Sequence, residues 1–176
     1  MNVAVAQHNL GCCYRDGQGA PRDLEEAARL FALSAAQGDA EAQYNLGILY
    51  RDGKGVTADL AEAARLFRLG AEQGHANAQG SLAEAFMKGK GVEVDFASSM
   101  LWARRAADQG NAGGSHLMGV LYLNGDGVPR NIAIGVSWLE RAAKQGLAGS
   151  KQSLLNLAAA GLPEAVAAAQ RLRLAP

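Results

Sequence analysis

Ala42-Gln43-Tyr44-Asn45-Leu46-Gly47-Ile48-Leu49-Tyr50, closed by Asp52-Gly53-Lys54-Gly55-Val56, is the stretch that decides the fold. Its first part reads as a largely apolar helical run. Glycine after the last periodic residue stops it, because glycine accepts the left-handed conformation at little cost. After a short loop to Ala58, Asp59 followed three residues later by Glu62 reads as a capping box, with each side chain satisfying a free backbone N–H of the other. Ala63, Leu66, Phe67 and Ala71 then keep helical spacing until Gln73-Gly74 ends the second helix.

The same hairpin recurs in both directions at a step of 36 residues. Gln37, Gln73, Gln109 and Gln145 keep that step, each followed by glycine. So do Gly17, Gly53, Gly89 and Gly125, and, two residues on, Gly19, Gly55, Gly91 and Gly127. Tyr14, Tyr50, Phe86 and Tyr122 hold the phase, as do Asp23, Asp59, Asp95 and Asn131. Asp23 with Glu26 repeats the capping box, whereas Asp95 and Asn131 keep only the cap. Asp39 and Asn111, equivalent to His75, are good N-caps for the following helix. A fixed period of this size marks a solenoid or related array. The expected architecture is all-α: a right-handed α/α superhelical solenoid of helix-turn-helix repeats, about ten helices in a single domain over 1–176. Four repeats fall at 4–39, 40–75, 76–111 and 112–147, and 148–176 is a degenerate C-terminal capping repeat in which Tyr14 becomes Ala158 and the Gly-x-Gly loop becomes Gly161-Leu162-Pro163. Repeat residues begin within the first few positions, so the expectation is that upstream sequence is missing or that this face meets something else.

Small residues have a packing role. Gly11, Gly47, Ala83 and Gly119 recur in mid-helix, where glycine costs about 1 kcal/mol relative to alanine, so close helix approach is expected there. Leu10, Leu46, Leu82 and Met118 are expected in the core with the aromatic series, and Leu30, Leu66, Trp102 and Trp138 are the large knobs of the second helices.

These residues resemble the Sel1-like repeat family. The pattern Ala-Gln-x-Asn-Leu-Gly-x-x-Tyr, then Gly-x-Gly, Asp, Ala and Ala-x-Gln-Gly, covers about 4–147. The related tetratricopeptide repeat is usually two residues shorter and lacks the Gly-x-Gly loop. The resemblance implies a superhelix whose first helices line a concave face, and an adaptor role in signalling, envelope regulation, host interaction or protein quality control.

Bulk properties narrow the function further. Formal net charge is zero, with 17 basic and 17 acidic residues, which argues against nucleic acid as a partner. No apolar run approaches a membrane-spanning length, and Met1 to Leu10 lack the basic start and apolar stretch of a secretion signal. Cys12 and Cys13 are adjacent, so a bridge between them is disfavoured; they suggest a reducing compartment and plain packing ahead of redox sensing, and the localisation stays open with the cytoplasm favoured. No cofactor is implied.

Removing the packing positions from each first helix leaves the partner-binding groove: His8, Cys12 and Arg15; Tyr44, Ile48 and Arg51; Gly80, Glu84 and Met87; His116, Val120 and Leu123. Each set follows the 36-residue step. A peptide or protein segment could lie along this mixed surface, apolar anchors supplying energy and charges selecting partners. Arg15 and Arg51 are equally explained as cations placed near helix C-termini, and His8 and His116 as ordinary histidines too far apart for a shared metal. Catalysis has little to stand on. Cysteine-rich relatives of the family, linked to β-lactam binding or hydrolysis, bridge the two helices of each unit, and no unit here has such a pair. Ser-x-x-Lys, Gly-x-Ser-x-Gly and His-Glu-x-x-His are missing. No strand precedes the Gly-x-Gly loops as a phosphate cradle requires, and Asn124-Gly125-Asp126-Gly127 lacks the spaced acids of a calcium loop. The third reading is a structural spacer that self-associates end to end.

Overall fold

The computed structural model describes residues 3–174; Met1 and Asn2 at the start of the solenoid expected over 1–176, and Ala175 and Pro176 at the end of its capping repeat, lie outside the described residues. Ten helices and no strand are found among them. They are α1 (Val3–Asp16), α2 (Leu24–Ala36), α3 (Ala40–Asp52), α4 (Leu60–Glu72), α5 (Ala76–Lys88), α6 (Phe96–Asp108), α7 (Ala112–Asn124), α8 (Ile132–Lys144), α9 (Ala148–Ala159) and α10 (Pro163–Arg171). The chain divides into two compact units, Met1–Val94 with α1–α5 and Asp95–Pro176 with α6–α10. In the first, each helix packs on the next in order. In the second the same holds, and α10 also folds back onto α8.

The helix boundaries follow from capping chemistry. Asp39, His75 and Asn111 cap α3, α5 and α7, each accepting from the backbone N–H three residues on. His75 does so through Nδ1, so the imidazole replaces the aspartate or asparagine of its equivalents. Asp23 and Asp59 cap α2 and α4, but the reciprocal half of the expected capping box is not formed. The backbone N–H of Asp23 already donates to the carbonyl of Tyr14, and that of Asp59 to Tyr50, both at 3.0 Å. Glu26 and Glu62 therefore have no donor to reach back to, and they turn forward to Arg29 and Arg65 at 2.7 and 2.6 Å.

The recurring mid-helix glycines accept large side chains from the second helix of the same hairpin. A Cβ on Gly11 would come within 2.8 Å of the Phe31 ring, one on Gly47 within 2.7 Å of Phe67, and one on Gly119 within 2.8 Å of Leu139. Phe31 and Leu139 are fully buried as a result. The Gly-x-Gly loop is more than a helix stop. Its first glycine is the left-handed cap, as at Gly53 (φ +64°). Its second docks on the hairpin before it: a Cβ on Gly55 would sit 2.1 Å from the carbonyl oxygen of Leu24, and one on Gly91 1.9 Å from that of Leu60.

The conspicuous glutamines are structural too. Gln73 ends α4 and donates to Gln43 on α3 at 2.7 Å; Gln43 donates in turn to the carbonyl of Ala35 on α2 at 3.3 Å. Gln37 to Gln7, at 2.5 Å, and Gln79 to the carbonyl of Ala71, at 3.1 Å, repeat the two links. The buried amides of Gln43 and Gln79 and the exposed ones of Gln37 and Gln73 tie helix to helix and hairpin to hairpin. One expected core position fails: Leu10 is 46% exposed, whereas Leu46, Leu82 and Met118 are buried. Leu46 packs in the cluster that α2 contributes to through Ala28 and Phe31; α1 has no such neighbour on that side among the described residues.

Candidate functional site

The groove residues expected on the first unit come from α1, α3 and α5, and the structure gathers them into two polar rungs. On the first, His8, Cys12 and Arg15 lie on one side of α1, all half-buried. Arg15 Nη1 donates to Asn45 Oδ1 at 3.0 Å, which fixes the amide so that Asn45 Nδ2 donates to His8 Nε2 at 3.1 Å. Nε2 is then the acceptor, and the network places the ring proton on Nδ1. Cys12 Sγ lies 3.5 Å from the same nitrogen. Burial pushes the Cys12 thiol above its ordinary value, with Arg15 opposing. The Arg15 guanidinium also pairs with Asp16 at 2.8 Å and lies 6.0 Å from the Phe31 ring.

The second rung is built on Tyr44 and Arg51 of α3. The Tyr44 ring packs 6.0 Å from Phe67 and 4.9 Å from His75, centre to centre. Burial raises its hydroxyl above the ordinary value, opposed by Arg51 and by Ser81 on α5. Arg51 pairs with Asp52 at 2.7 Å, which keeps the guanidinium charged. Glu84 on α5 faces the same space. Burial raises its carboxyl, but Lys88 at 2.7 Å and Lys90 at 3.5 Å outweigh that and hold it below the usual carboxylate range. Between α3, α4 and α5 a small open cleft of about 20 Å³ has Arg51, Glu84 and Lys90 at its polar rim and Phe67, Leu60 and Ala64 on its apolar wall. Ile48, Gly80 and Met87 are half-buried nearby positions of the same helices.

On the second unit the corresponding residues are on α7. His116 Nδ1 lies 2.8 Å from the hydroxyl of the fully buried Ser150 on α9. Val120 is half-buried. Leu123 turns toward α8, where its Cγ would be 2.7 Å from a Cβ on Gly135, and packs on the Val136–Leu139 cluster.

Asn45, which organises the first rung, was quoted as a residue of the repeat motif and not as a groove position, and Ser81 beside Tyr44 was not singled out. Each lies one repeat plus one, 37 positions, after its counterpart: Asn45 after His8, to which it bonds, and Ser81 after Tyr44. The signal was therefore present, but at an offset that depends on how neighbouring hairpins are rotated. Cys12 and Cys13 are free thiols. Among the described residues no cluster of three histidines, cysteines or acids is placed to hold a metal ion, and no helix is long and apolar enough to cross a membrane.

Comparison with known proteins matches this geometry to one repeat. The model of the Sel1 repeat matches residues 4–39, 40–75, 76–111 and 114–147. Among solved structures, the chain is similar to c5321, described as a protective antigen present in uropathogenic Escherichia coli strains displaying an SLR fold, at 32% identity and a TM-score of 0.84 over 97% of this chain and 38% of that one. It is also similar to a Sel1 repeat protein from Oxalobacter formigenes, at 28% identity and a TM-score of 0.84 over 98% of this chain and 73% of that one. The chain thus spans well under half the length of the first of these relatives. No functionally curated protein matches it.

Proposed function

Since the chain belongs to the Sel1 repeat family, we propose that it is a non-catalytic interaction scaffold that holds a peptide or protein segment against the faces of its first helices. The observation that carries this reading is the pair of rungs on the first unit. Packing and punctuation explain nearly every residue that repeats. The positions that change from repeat to repeat, His8 to Tyr44 and Cys12 to Ile48 to Glu84, are half-buried and arranged side by side. His8 is held by the cross-helix bond to Asn45, Tyr44 by its ring neighbours Phe67 and His75, and Glu84 by Lys88 and Lys90, so the surface is pre-organised and a ligand need not order it. The cleft beside Tyr44 offers a shallow apolar wall, with Arg51, Glu84 and Lys90 at its mouth to select by charge.

The test is affinity capture with the wild type and the Tyr44→Phe/Arg51→Glu double variant side by side, with Arg65→Glu on α4 as a surface-charge control. A genuine groove partner is retained by the wild type and the control, and its binding falls at least tenfold in the double variant while helicity is unchanged. Equal capture by all three removes the assignment of this site.

A further inference from the structure

The outer registers of the second helices change character between the two units. On α2 and α4, Glu26 pairs with Arg29 and Glu62 with Arg65, and both arginines are well exposed. Thirty-six and seventy-two residues on from the second pair, the same registers hold Ser98 and Leu101 on α6, then Ile134 and Ser137 on α8. Leu101 is 50% exposed and Ile134 39% exposed. An i,i+3 ion pair is the expected dress of a solvent face; aliphatic side chains in its place are not.

A second change accompanies the first. Leu30 and Leu66 give way to Trp102 and Trp138, and Leu33 and Leu69 to Arg105 and Arg141. The Arg105 guanidinium lies 4.7 Å from the Trp102 ring centre, and Trp138 is flanked by Arg141 at 5.2 Å and by Arg104 of α6 at 5.5 Å. Stacking of this kind holds guanidiniums in place without neutralising them. Helical spacing puts Ile134 on the same side as Trp138, and Leu101 on the same side as Arg104 and Arg105. Arg104 pairs with Asp108 at 3.1 Å, whereas Arg105 and Arg141 have no carboxylate partner among the described residues. The face formed by α6 and α8 therefore combines exposed aliphatic side chains, the half-buried Trp138, the exposed Arg105 and a half-buried Arg141 that donates to the carbonyl of Ala107 at 2.6 Å, the composition of interface hot spots.

We propose that this face docks an acidic peptide segment that carries large apolar side chains. The apolar side chains cover Leu101 and Ile134, and the carboxylates meet the fixed guanidiniums bidentately. The surface is built on other helices than the rungs of α1, α3 and α5, so it gives the scaffold a second class of partner.

The test is a selection from a displayed random-peptide library against the intact chain, counter-selected with the variant Ser98→Glu/Leu101→Arg/Ile134→Glu/Ser137→Arg. That variant rebuilds on α6 and α8 the ion pairs that α2 and α4 already carry. Selected peptides are expected to be enriched in Asp or Glu together with Leu or Phe. The half-buried Trp138 borders this face and Trp102 is buried within α6, so a bound peptide shifts tryptophan emission through Trp138. The rebuilt variant should bind at least tenfold more weakly, and Arg105→Glu, which alters a single exposed residue, should do the same at unchanged circular dichroism. The inference is overturned by enrichment of basic peptides, by no enrichment, by equal binding to both variants, or by a wild type that adsorbs to phosphatidylserine vesicles while ignoring acidic peptides.

Discussion

Single residues carry unequal loads within one motif. Gly19 and Gly55 occupy the same register and the same left-handed backbone, at φ +77° and +72°. A Cβ on Gly19 meets nothing within 4 Å, while one on Gly55 would collide with the Leu24 carbonyl. Gly19→Ala should therefore cost about 1 kcal/mol, the backbone penalty alone, and Gly55→Ala roughly 3 kcal/mol or more, because hairpins must separate to admit the methyl. Urea unfolding of the two variants checks this, and equal losses would show that the second glycine is only a turn residue. At Cys12 burial favours the thiol over the thiolate. Iodoacetamide should modify it slowly at pH 7, with a rate that climbs as pH rises above the ordinary cysteine range; mass spectrometry of the modified peptide over time measures this. The alternating jobs of the glycines were not legible in the sequence, since both read simply as punctuation.

At the scale of elements, the terminal helix is the informative case. α10 has no side-chain cap and lacks the Gly-x-Gly loop, so its position rests on packing and on one ionic latch. Glu140 of α8, 7% exposed, takes Arg171 of α10 at 2.6 Å and Lys144 at 2.9 Å. The hydrogen bond from Arg171, aided by Lys144 and opposed by burial, lowers the Glu140 carboxyl to about 2. A carboxylate whose folded value lies below its unfolded value contributes stability in full above about pH 4.5, and that contribution is lost as pH falls toward 2. Both cations are largely in solvent, so screening reduces what the latch contributes. Glu140→Gln should lower the unfolding temperature by about 2–8 °C at pH 7 and flatten the acid limb between pH 4.5 and 2. An acid profile identical to the wild type would remove the latch from α10 docking. The equivalent residues of Glu140 are Ala32, Arg68 and Arg104, so no repeat consensus pointed to it.

For the whole molecule, stability is a sum over hairpins and their nearest neighbours. Val136, Leu139 and Ala143 of α8 are buried against Leu154 of α9 and Ala165 and Ala168 of α10. Ending the chain at Gly146 would expose that layer, at about 1.5–3 kcal/mol for each large side chain uncovered. The shortened chain is expected to unfold at lower temperature and to self-associate, which calorimetry and light scattering would show; an unchanged, monodisperse protein would mean that α9 and α10 are not a cap. A formal charge of zero gives no net charge to draw partners of one sign, so partner selection falls to local groups such as Arg51, Glu84 and Arg105.

The sequence by itself determined the repeat, the helix boundaries and the family, because period, caps and glycine stops are written in nearest-neighbour spacing. It also named His8, Tyr44, Arg51 and Glu84 by subtraction of the packing positions. Only the tertiary structure decided that Asn45 and Ser81 join them, that Leu123 turns to α8, and that the glutamates of the capping boxes turn forward to arginines. Each of those outcomes depends on the rotation of one hairpin against the next, or on whether a neighbour has already satisfied a donor. Such facts belong to pairs of helices in space, and no single stretch of chain encodes them.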